Sequence, residues 1–127
     1  MKLWGRALVS GSAKGVALSS LEPIGFLGGI DPETGIVIEQ GHALEGECVA
    51  GRILVFPTGK GSTVGSYTIY RLARNGVSPA AIINANGDAV TTVGAIIASI
   101  PMIDQVDVSL IQTGMVVSIK EDLIEVE

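Results

Sequence analysis

The segment that decides the fold is Ile53-Leu54-Val55-Phe56-Pro57-Thr58-Gly59-Lys60-Gly61-Ser62-Thr63. Its first four residues form an uninterrupted apolar run, which predicts a short strand buried on both faces. The two glycines that follow let the backbone approach a ligand closely. The first amides of a helix after this turn would be unpaired donors with partial positive charge, so the turn favours an anion.

The residues after the turn predict a helix and a second strand. Ser62–Asn75 combines apolar and polar side chains, with Ser62 or Thr63 available as N-cap and Gly76 as a stop. Ala80–Ile83 is the next apolar run. A strand, glycine turn, helix and strand within about 30 residues are typical of a βαβ unit with a parallel pair, whose ligands gather at the carboxyl ends of the strands.

Further short apolar segments surround this unit. Val90–Ser99 predicts a second helix that Pro101 ends. Further strands are predicted at Ala7–Val9, Val16–Leu18, Ile24–Leu27, Ile36–Ile38, Val106–Ile111, Met115–Ile119 and Leu123–Val126. A chain of 127 residues without repeats or linkers is therefore expected to be a single α/β domain, 1–127.

The composition limits the possible partners. Hydrophobic residues make up 47% of the chain, charged residues 17%, and the mean hydropathy is +0.51, which favours an apolar face for a protein partner. A net charge of −5 argues against nucleic acid. Val93–Ile103 is too short for a membrane span, which needs about 20 residues. Arg6 and Lys14 interrupt any secretory hydrophobic region, so we expect no signal peptide and no membrane association.

Two nucleotide motifs fail when they are compared with the turn. A P-loop requires glycine where Leu54 stands, and serine or threonine where Gly61 follows Lys60. The third glycine of a dinucleotide fingerprint falls on Val64. ATP and NAD are therefore not expected as ligands.

The chain has one cysteine, Cys48, and one histidine, His42. Iron–sulfur clusters and structural zinc sites draw three or four such ligands, so this chain cannot hold one alone. We expect Cys48 to be a buried thiol and the protein to be cytoplasmic. His42 leaves open a carrier domain that takes up a phosphoryl group, although a lone histidine is more often structural.

Four segments together resemble one family. They are Gly28–Gly35, His42-Ala43-Leu44 with Gly46, Val49–Arg52 and Thr58–Ser66. In these segments, and over almost its entire length, the chain resembles the small subunit of aconitase X. The resemblance implies a swivelling β/β/α three-layer domain with a parallel βαβ core and an additional β layer.

The resemblance also implies an activity and a partner. The domain would close over a large subunit that carries a 4Fe-4S cluster, forming a heterodimer that acts on a small hydroxy acid. In this family the serine of the glycine turn is the catalytic base, and its position matches Ser62. Archaeal members dehydrate mevalonate 5-phosphate to trans-anhydromevalonate 5-phosphate, and related bacterial enzymes act on cis-3-hydroxyproline. A non-catalytic subunit that only covers the site of its partner remains an alternative.

Substrate contacts are expected around Ser62, each with a structural alternative. Lys60 could hold a phosphate or carboxylate, or be solvated. Arg52 could contact substrate or pair within the fold, and Thr63 and Ser66 could bind an anion or complete the helix start. The candidate substrate-binding residues are Gly59, Lys60, Gly61, Thr63, Ser66 and Arg52. Asp31 is as compatible with bracing its loop as with touching a ligand.

Overall fold

The computed structural model describes all residues from 1 to 127. Neither of its two α-helices has the length and apolar character needed to cross a membrane. The elements follow one another as β1 (Lys2–Trp4), β2 (Arg6–Val9), β3 (Ser12–Ser19), β4 (Ile53–Phe56), α1 (Gly65–Arg74), β5 (Ala81–Asn84), α2 (Ala89–Ala98), β6 (Met102–Asp104), β7 (Val116–Lys120) and β8 (Leu123–Val126).

All eight strands belong to one sheet with the order β1-β8-β7-β3-β4-β5-β6-β2. The strands β3, β4, β5 and β6 are parallel, and the other neighbours are antiparallel. The predicted βαβ unit is confirmed as β4-α1-β5, and a second unit, β5-α2-β6, follows it directly. Strand β3 joins two halves of the sheet, because Ser12–Val16 pairs with β7 and Ala17–Ser19 pairs with β4.

Gly5 brings the two outer strands of the sheet together. Strands β1 and β2 lie at opposite ends of the strand order, yet only Gly5 separates them in the chain, so the sheet nearly closes into a barrel. The Gly5 N–H donates to the Asp122 carbonyl at 3.0 Å. A Cβ at position 5 would lie 2.5 Å from the Asp104 carbonyl oxygen. Closure therefore depends on the absence of a side chain at this residue.

Strand β4 is buried on both faces, as predicted. Ile53 and Val55 belong to the apolar cluster that fills the barrel, whereas Leu54 and Phe56 belong to a second cluster beneath the helices. Successive strand residues point to opposite faces, so one strand supplies both cores. The helices contribute Ile69, Leu72 and Ala95 to the second cluster. This arrangement confirms the expected layers of sheet, sheet and helices.

Helix α1 begins later than predicted. Its N-cap is Val64, which makes no side-chain capping bond, so the expectation that Ser62 or Thr63 caps the helix is wrong. The Ser62 carbonyl accepts from Gly65 N–H at 2.9 Å, forming a turn ahead of the helix. The end agrees with the prediction, because Gly76 follows with a φ of 72°.

Two predicted strands are only isolated bridges. Ile24–Leu27 and Ile36–Ile38 each make single bridging pairs rather than a ladder. The Phe26 carbonyl accepts the N–H groups of both Gly29 and Ile30, which turns the chain away from a strand. Ile24, Phe26 and Val37 are buried beneath the helices, whereas the other apolar residues of the two segments are exposed. Burial of these three residues explains the apolar pattern without a strand.

A third predicted strand, Val106–Ile111, is also wrong. A 3-10 helix spans Val108–Leu110, and the Asp107 side chain accepts from Ser109 N–H at its start. Aspartate favours such turns over strands because its carboxylate bonds to nearby backbone. The apolar residues of the segment pack into the barrel cluster, namely Val106, Val108 and Ile111.

The ion pair between Arg6 and Asp104 reinforces the pairing of β2 with β6, beside the closure at Gly5. The Arg6 Nε and Nη2 atoms donate to the two Asp104 oxygens at 2.9 and 2.8 Å. Gly87 N–H donates to the same carboxylate at 2.9 Å. The hydrogen bond from Arg6 lowers the pKa of Asp104, although burial of the carboxyl acts in the opposite direction. Asp104 should therefore be ionised in the folded protein at neutral pH.

Acid should weaken this contact. Because folding lowers the pKa of Asp104, its stabilisation is complete above the unfolded pKa of about 3.9 and is lost as pH falls through the folded pKa. Asp104→Asn should lower the free energy of unfolding by about 2 kcal/mol at pH 7, since the buried side chain loses its charge and one of its two acceptor oxygens. The variant should also show a smaller decrease of the free energy of unfolding between pH 7 and pH 3. Urea unfolding at pH 7 and 3 measures both, with exposed Asp122→Asn as control. An unchanged decrease would contradict the assignment.

Closure of the barrel gives a second prediction. Gly5→Ala should lower the free energy of unfolding by about 1–3 kcal/mol, because the new methyl group meets the Asp104 backbone and the Ile103 side chain. Thermal unfolding should show the loss, whereas exposed Ser10→Ala should not. A Gly5→Ala protein as stable as the parent would mean that the two edges are not held together here.

Candidate active site

The glycine turn, Thr58–Val64, connects the carboxyl end of β4 to α1. Its first half is fixed by backbone hydrogen bonds to the neighbouring segment. Ile24 N–H donates to the Thr58 carbonyl at 3.2 Å, and Lys60 N–H donates to the Ile24 carbonyl at 3.0 Å. A Cβ at Gly25 would lie 3.1 Å from the Lys60 carbonyl oxygen. Close backbone packing therefore holds the turn in place up to Lys60.

Asp88 provides another anchor for the turn. Its Oδ1 accepts from Gly59 N–H at 2.8 Å, and its Oδ2 accepts from Thr91 N–H at 2.9 Å in the first turn of α2. The carboxylate thus joins the glycine turn to the N-terminus of α2. Asp88 was not among the candidate site residues, although its position before an apolar helix is a recognisable N-cap pattern.

The tip of the turn is exposed and has unused donors. The backbone N–H groups of Gly61, Ser62 and Thr63 donate no hydrogen bond within the protein. Gly61 has a φ of 91°, which glycine adopts without steric cost. The Ser62 Oγ accepts from Val64 N–H at 3.2 Å. Three consecutive free amides beside a helix start can receive an anion or stabilise an oxyanion.

Lys60 is not simply solvated. Its Nζ lies 2.8 Å from Glu39 Oε2, and the two side chains are 47% and 31% exposed. Such a half-exposed pair contributes little to stability. Glu39 had no sequence pattern that marked it as the partner of Lys60. The pair places a cation beside the exposed tip while leaving it open to exchange with another anion.

Ser66 and Thr63 occupy different surroundings. The Ser66 hydroxyl donates to the Val90 carbonyl at 2.6 Å, which ties α1 to α2. Thr63 is exposed at the tip, and its hydroxyl makes no hydrogen bond within the protein. The structure therefore brings Gly59, Lys60, Gly61, Ser62 and Thr63 together, whereas Ser66 lies just behind them between the helices.

Arg52 lies away from the turn, at the opposite end of β4. With about 3.3 Å per strand residue, the four residues of β4 separate Arg52 from the turn by more than 10 Å. Its Nε and Nη2 donate to the Val16 and Ala17 carbonyls at 3.1 and 2.9 Å. Arg52 thus holds β3 beside β4, and its partners are backbone carbonyls rather than a carboxylate.

Asp31 and His42 both make structural contacts. The Asp31 Oδ1 accepts from Glu33 N–H at 2.9 Å within its own loop. His42 is buried; its Nδ1 accepts from Leu44 N–H at 3.0 Å, and its Nε2 lies 3.0 Å from the Pro23 carbonyl. The first contact requires the tautomer that carries its proton on Nε2. Neither ring nitrogen is available for a phosphoryl group.

Cys48 is exposed, so the expectation of a buried thiol is wrong. Its neighbour Val49 is fully buried, and alternation along this extended segment directs Cys48 outward. The Cys48 Sγ donates to the Thr34 carbonyl at 3.4 Å. Nowhere do three or more histidine, cysteine or acidic side chains converge in a geometry that could hold a metal ion. The residues of this chain do not fit an iron–sulfur cluster.

The contacts of His42 give a stability prediction. His42→Ala should lower the free energy of unfolding by about 3 kcal/mol, because it leaves a buried donor and acceptor unpaired and opens a cavity. His42→Asn should recover about 1 kcal/mol, since its side-chain oxygen can still accept from Leu44 N–H. Denaturant unfolding compares the three proteins. Acid-labile phosphate on His42, detected by mass spectrometry, would contradict the structural role.

The chain is similar in sequence to the proteins of one family. Residues 2–126 match the family described as the aconitase X swivel domain. The phosphomevalonate dehydratase small subunit of Thermococcus kodakarensis is 53% identical over 127 residues, with coverage of 100% of this chain and 96% of the relative. That of Methanocella arvoryzae is 53% identical over 113 residues, covering 89% and 86%.

A solved structure extends the comparison to three dimensions. The crystal structure of Thermococcus kodakaraensis aconitase X in its holo-form superposes with a TM-score of 0.98 at 49% identity, covering 100% of this chain and 98% of that one. Sequence and fold therefore agree over the full length. This chain belongs to the aconitase X swivel-domain family.

Proposed function

We propose that this chain is the small subunit of a hydro-lyase that dehydrates mevalonate 5-phosphate to trans-anhydromevalonate 5-phosphate in the archaeal modified mevalonate pathway. Full-length relatives at about half identity are named phosphomevalonate dehydratase small subunits. The observation that carries the proposal for the site is the exposed Ser62, on an anchored turn whose adjacent amides are free.

Ser62 is proposed as the proton acceptor. Dehydration removes a proton from carbon next to a carboxylate and a hydroxyl from the neighbouring carbon, and the two leave as water. The proton is weakly acidic, so the reaction needs a base held at its position. Ser62 Oγ is exposed at the tip of the turn and can reach a substrate held by a second subunit. Departure of the hydroxyl requires groups that this turn does not contain, and we assign it to the partner.

A serine acts as a base only if its alkoxide is stabilised. The N–H groups of Gly61 and Thr63 flank Ser62, and α1 begins at Gly65 with its positive dipole end towards the turn. Fixed donors of this kind stabilise a developing oxyanion without reorganisation during the reaction. The serine proton would pass to solvent before the site closes, and the donors would stabilise the alkoxide more strongly once substrate and partner exclude water from the tip.

The other turn residues have supporting roles in this proposal. Lys60 would exchange Glu39 for an anionic group of the substrate, while Gly59, Gly61 and Thr63 supply backbone and hydroxyl contacts. Ser66 already donates to the Val90 carbonyl, so we assign it to positioning α1. Arg52 remains only a sequence prediction as a substrate contact, because its guanidinium is engaged with β3.

The proposal includes a larger partner. The printed names of the relatives describe a small subunit, and large apolar side chains are exposed beside the turn. Leu27 and Val64 are each 50% exposed and Tyr67 is 60% exposed, which suits a surface that a second subunit covers. We propose a cytoplasmic heterodimer whose large subunit carries the 4Fe-4S cluster, since this chain lacks a ligand set for it.

Substitution of Ser62 tests the catalytic role. In the complex with the large subunit from the same genome, reconstituted without oxygen, Ser62→Ala should lower kcat at least about 100-fold. KM should stay within about threefold, because the hydroxyl acts in the transition state. Dehydration of mevalonate 5-phosphate measures both constants, and Ser10→Ala, at an exposed serine on another loop, should match the parent.

Two results would change the proposal. Full activity of the Ser62→Ala complex would favour a non-catalytic covering subunit. Turnover of cis-3-hydroxyproline in place of mevalonate 5-phosphate by the parent complex would keep the base and replace the substrate. Thermal unfolding of each variant should be unchanged, because Ser62 is exposed and caps no helix.

A further inference from the structure

We propose that Asp88 is a positioning residue for the reaction, which fixes Ser62 by joining the glycine turn to the N-terminus of α2. The inference rests on the proposed role of Ser62 as base. Asp88 does not touch substrate in this proposal. It acts through the backbone of Gly59, three residues before Ser62.

Asp88 makes more contacts than helix capping requires. An N-cap needs one side-chain oxygen, and serine or asparagine supplies it equally well. Here Oδ2 accepts from Thr91 N–H at 2.9 Å, which completes the cap, while Oδ1 accepts from Gly59 N–H at 2.8 Å. Both oxygens are thereby bound to backbone, one three residues after Asp88 and the other 29 residues before it. The second contact explains why a carboxylate is useful at this position.

The space around Gly59 supports the same assignment. Gly59 has no positive φ, so backbone conformation does not explain its glycine. A Cβ there would lie 2.5 and 2.8 Å from the two Asp88 oxygens and would also overlap Thr91 Oγ1. Glycine at position 59 is therefore required by the approach of Asp88. Gly61 differs, because it combines a φ of 91° with open space.

The path of the chain shows how this anchor reaches Ser62. Gly59 and Lys60 N–H groups are bound by Asp88 and Ile24, and the backbone donors are then unbound until Val64. The tip is thus a short segment between the anchored residues Gly59 and Lys60 and the start of α1. Without the Asp88 contact, the first residues of the glycine turn would be held only by their backbone hydrogen bonds to Ile24. A displacement of about 1 Å at a reacting group can cost about 100-fold in rate.

Asp88→Ser separates positioning from capping. Serine can cap α2 through Thr91 N–H, but its single shorter side chain cannot also bind Gly59 N–H. In the complex with the large subunit, kcat should fall about 10- to 100-fold with KM within about threefold. The unfolding temperature should hardly change, since serine and aspartate are comparable N-caps. Asp88→Asn keeps the shape of the side chain but retains only one of the two acceptor oxygens. It should therefore give an intermediate kcat.

Asp107→Ser is the matched control. Asp107 also accepts a backbone N–H at the start of a short helix, at a site that is not part of the glycine turn. Its kcat should equal that of the parent. Hydrogen exchange of the complex, followed by mass spectrometry, should show faster exchange of the peptide containing Gly59 in Asp88→Ser and no change there in Asp107→Ser.

A double variant separates the positioning role of Asp88 from the role of Ser62 as base. If Asp88 acts through Ser62, adding Asp88→Ser to Ser62→Ala should produce no further loss of kcat. Equal losses in the presence and absence of Ser62 would overturn the positioning role, as would a parental kcat in Asp88→Ser alone. Full activity of Ser62→Ala would instead overturn the proposed base. If Asp88→Ser misfolds, the same comparison with Asp88→Asn decides.

Discussion

Burial of β4 on both faces is the constraint on which the rest of the molecule depends. Its alternate residues fill the barrel on one side and support the helices on the other, so the strand cannot shift by one residue without exchanging the two cores. The glycine turn begins immediately after this strand. A strand buried on both faces is therefore directly connected to the exposed tip of the turn, and this strand fixes where the turn that carries Ser62 begins.

The turn combines restraint with accessibility. Ile24 and Asp88 bind its first residues, while Gly61, Ser62 and Thr63 retain free amides in solvent. A site of this kind supplies some of the groups that a reaction needs, and a second surface must supply the others. Its donors and its cation, Lys60, are present in the isolated chain, but water and Glu39 compete for them until a second surface covers the tip. On the proposed function, this division would let a small domain without a metal site contribute the base of a dehydration.

Much of the fold could be predicted because its determinants are local. The β4 run, the glycine after α1 and the helix that ends before Pro101 each lie within a few residues of the structure they specify. The family resemblance supplied the layers, and it also supplied the role of Ser62 as base, which stays a prediction. Strand predictions were wrong where apolar residues are buried without belonging to a strand. Most apolar residues of Ile24–Leu27 and Val106–Ile111 line the cores, and turns determined by Phe26 and Asp107 prevent ladders from forming.

The supporting contacts of the site could not be predicted in the same way. Lys60 and Glu39 are 21 residues apart, and Asp88 is 29 residues from Gly59, so only the folded chain shows that they meet. Arg52 shows the converse, because it was a candidate substrate contact beside Ser62, whereas β4 separates it from the turn. Spacing along a strand limits such inferences, since each residue adds about 3.3 Å of separation.

The outward orientation of Cys48 has a practical consequence. The chain contains one thiol and it lies at the surface, so a maleimide dye would label a single known position without entering either core. A second dye on the larger companion would then form a donor–acceptor pair for energy transfer. Movement of this domain against that companion would become a distance that can be followed in real time.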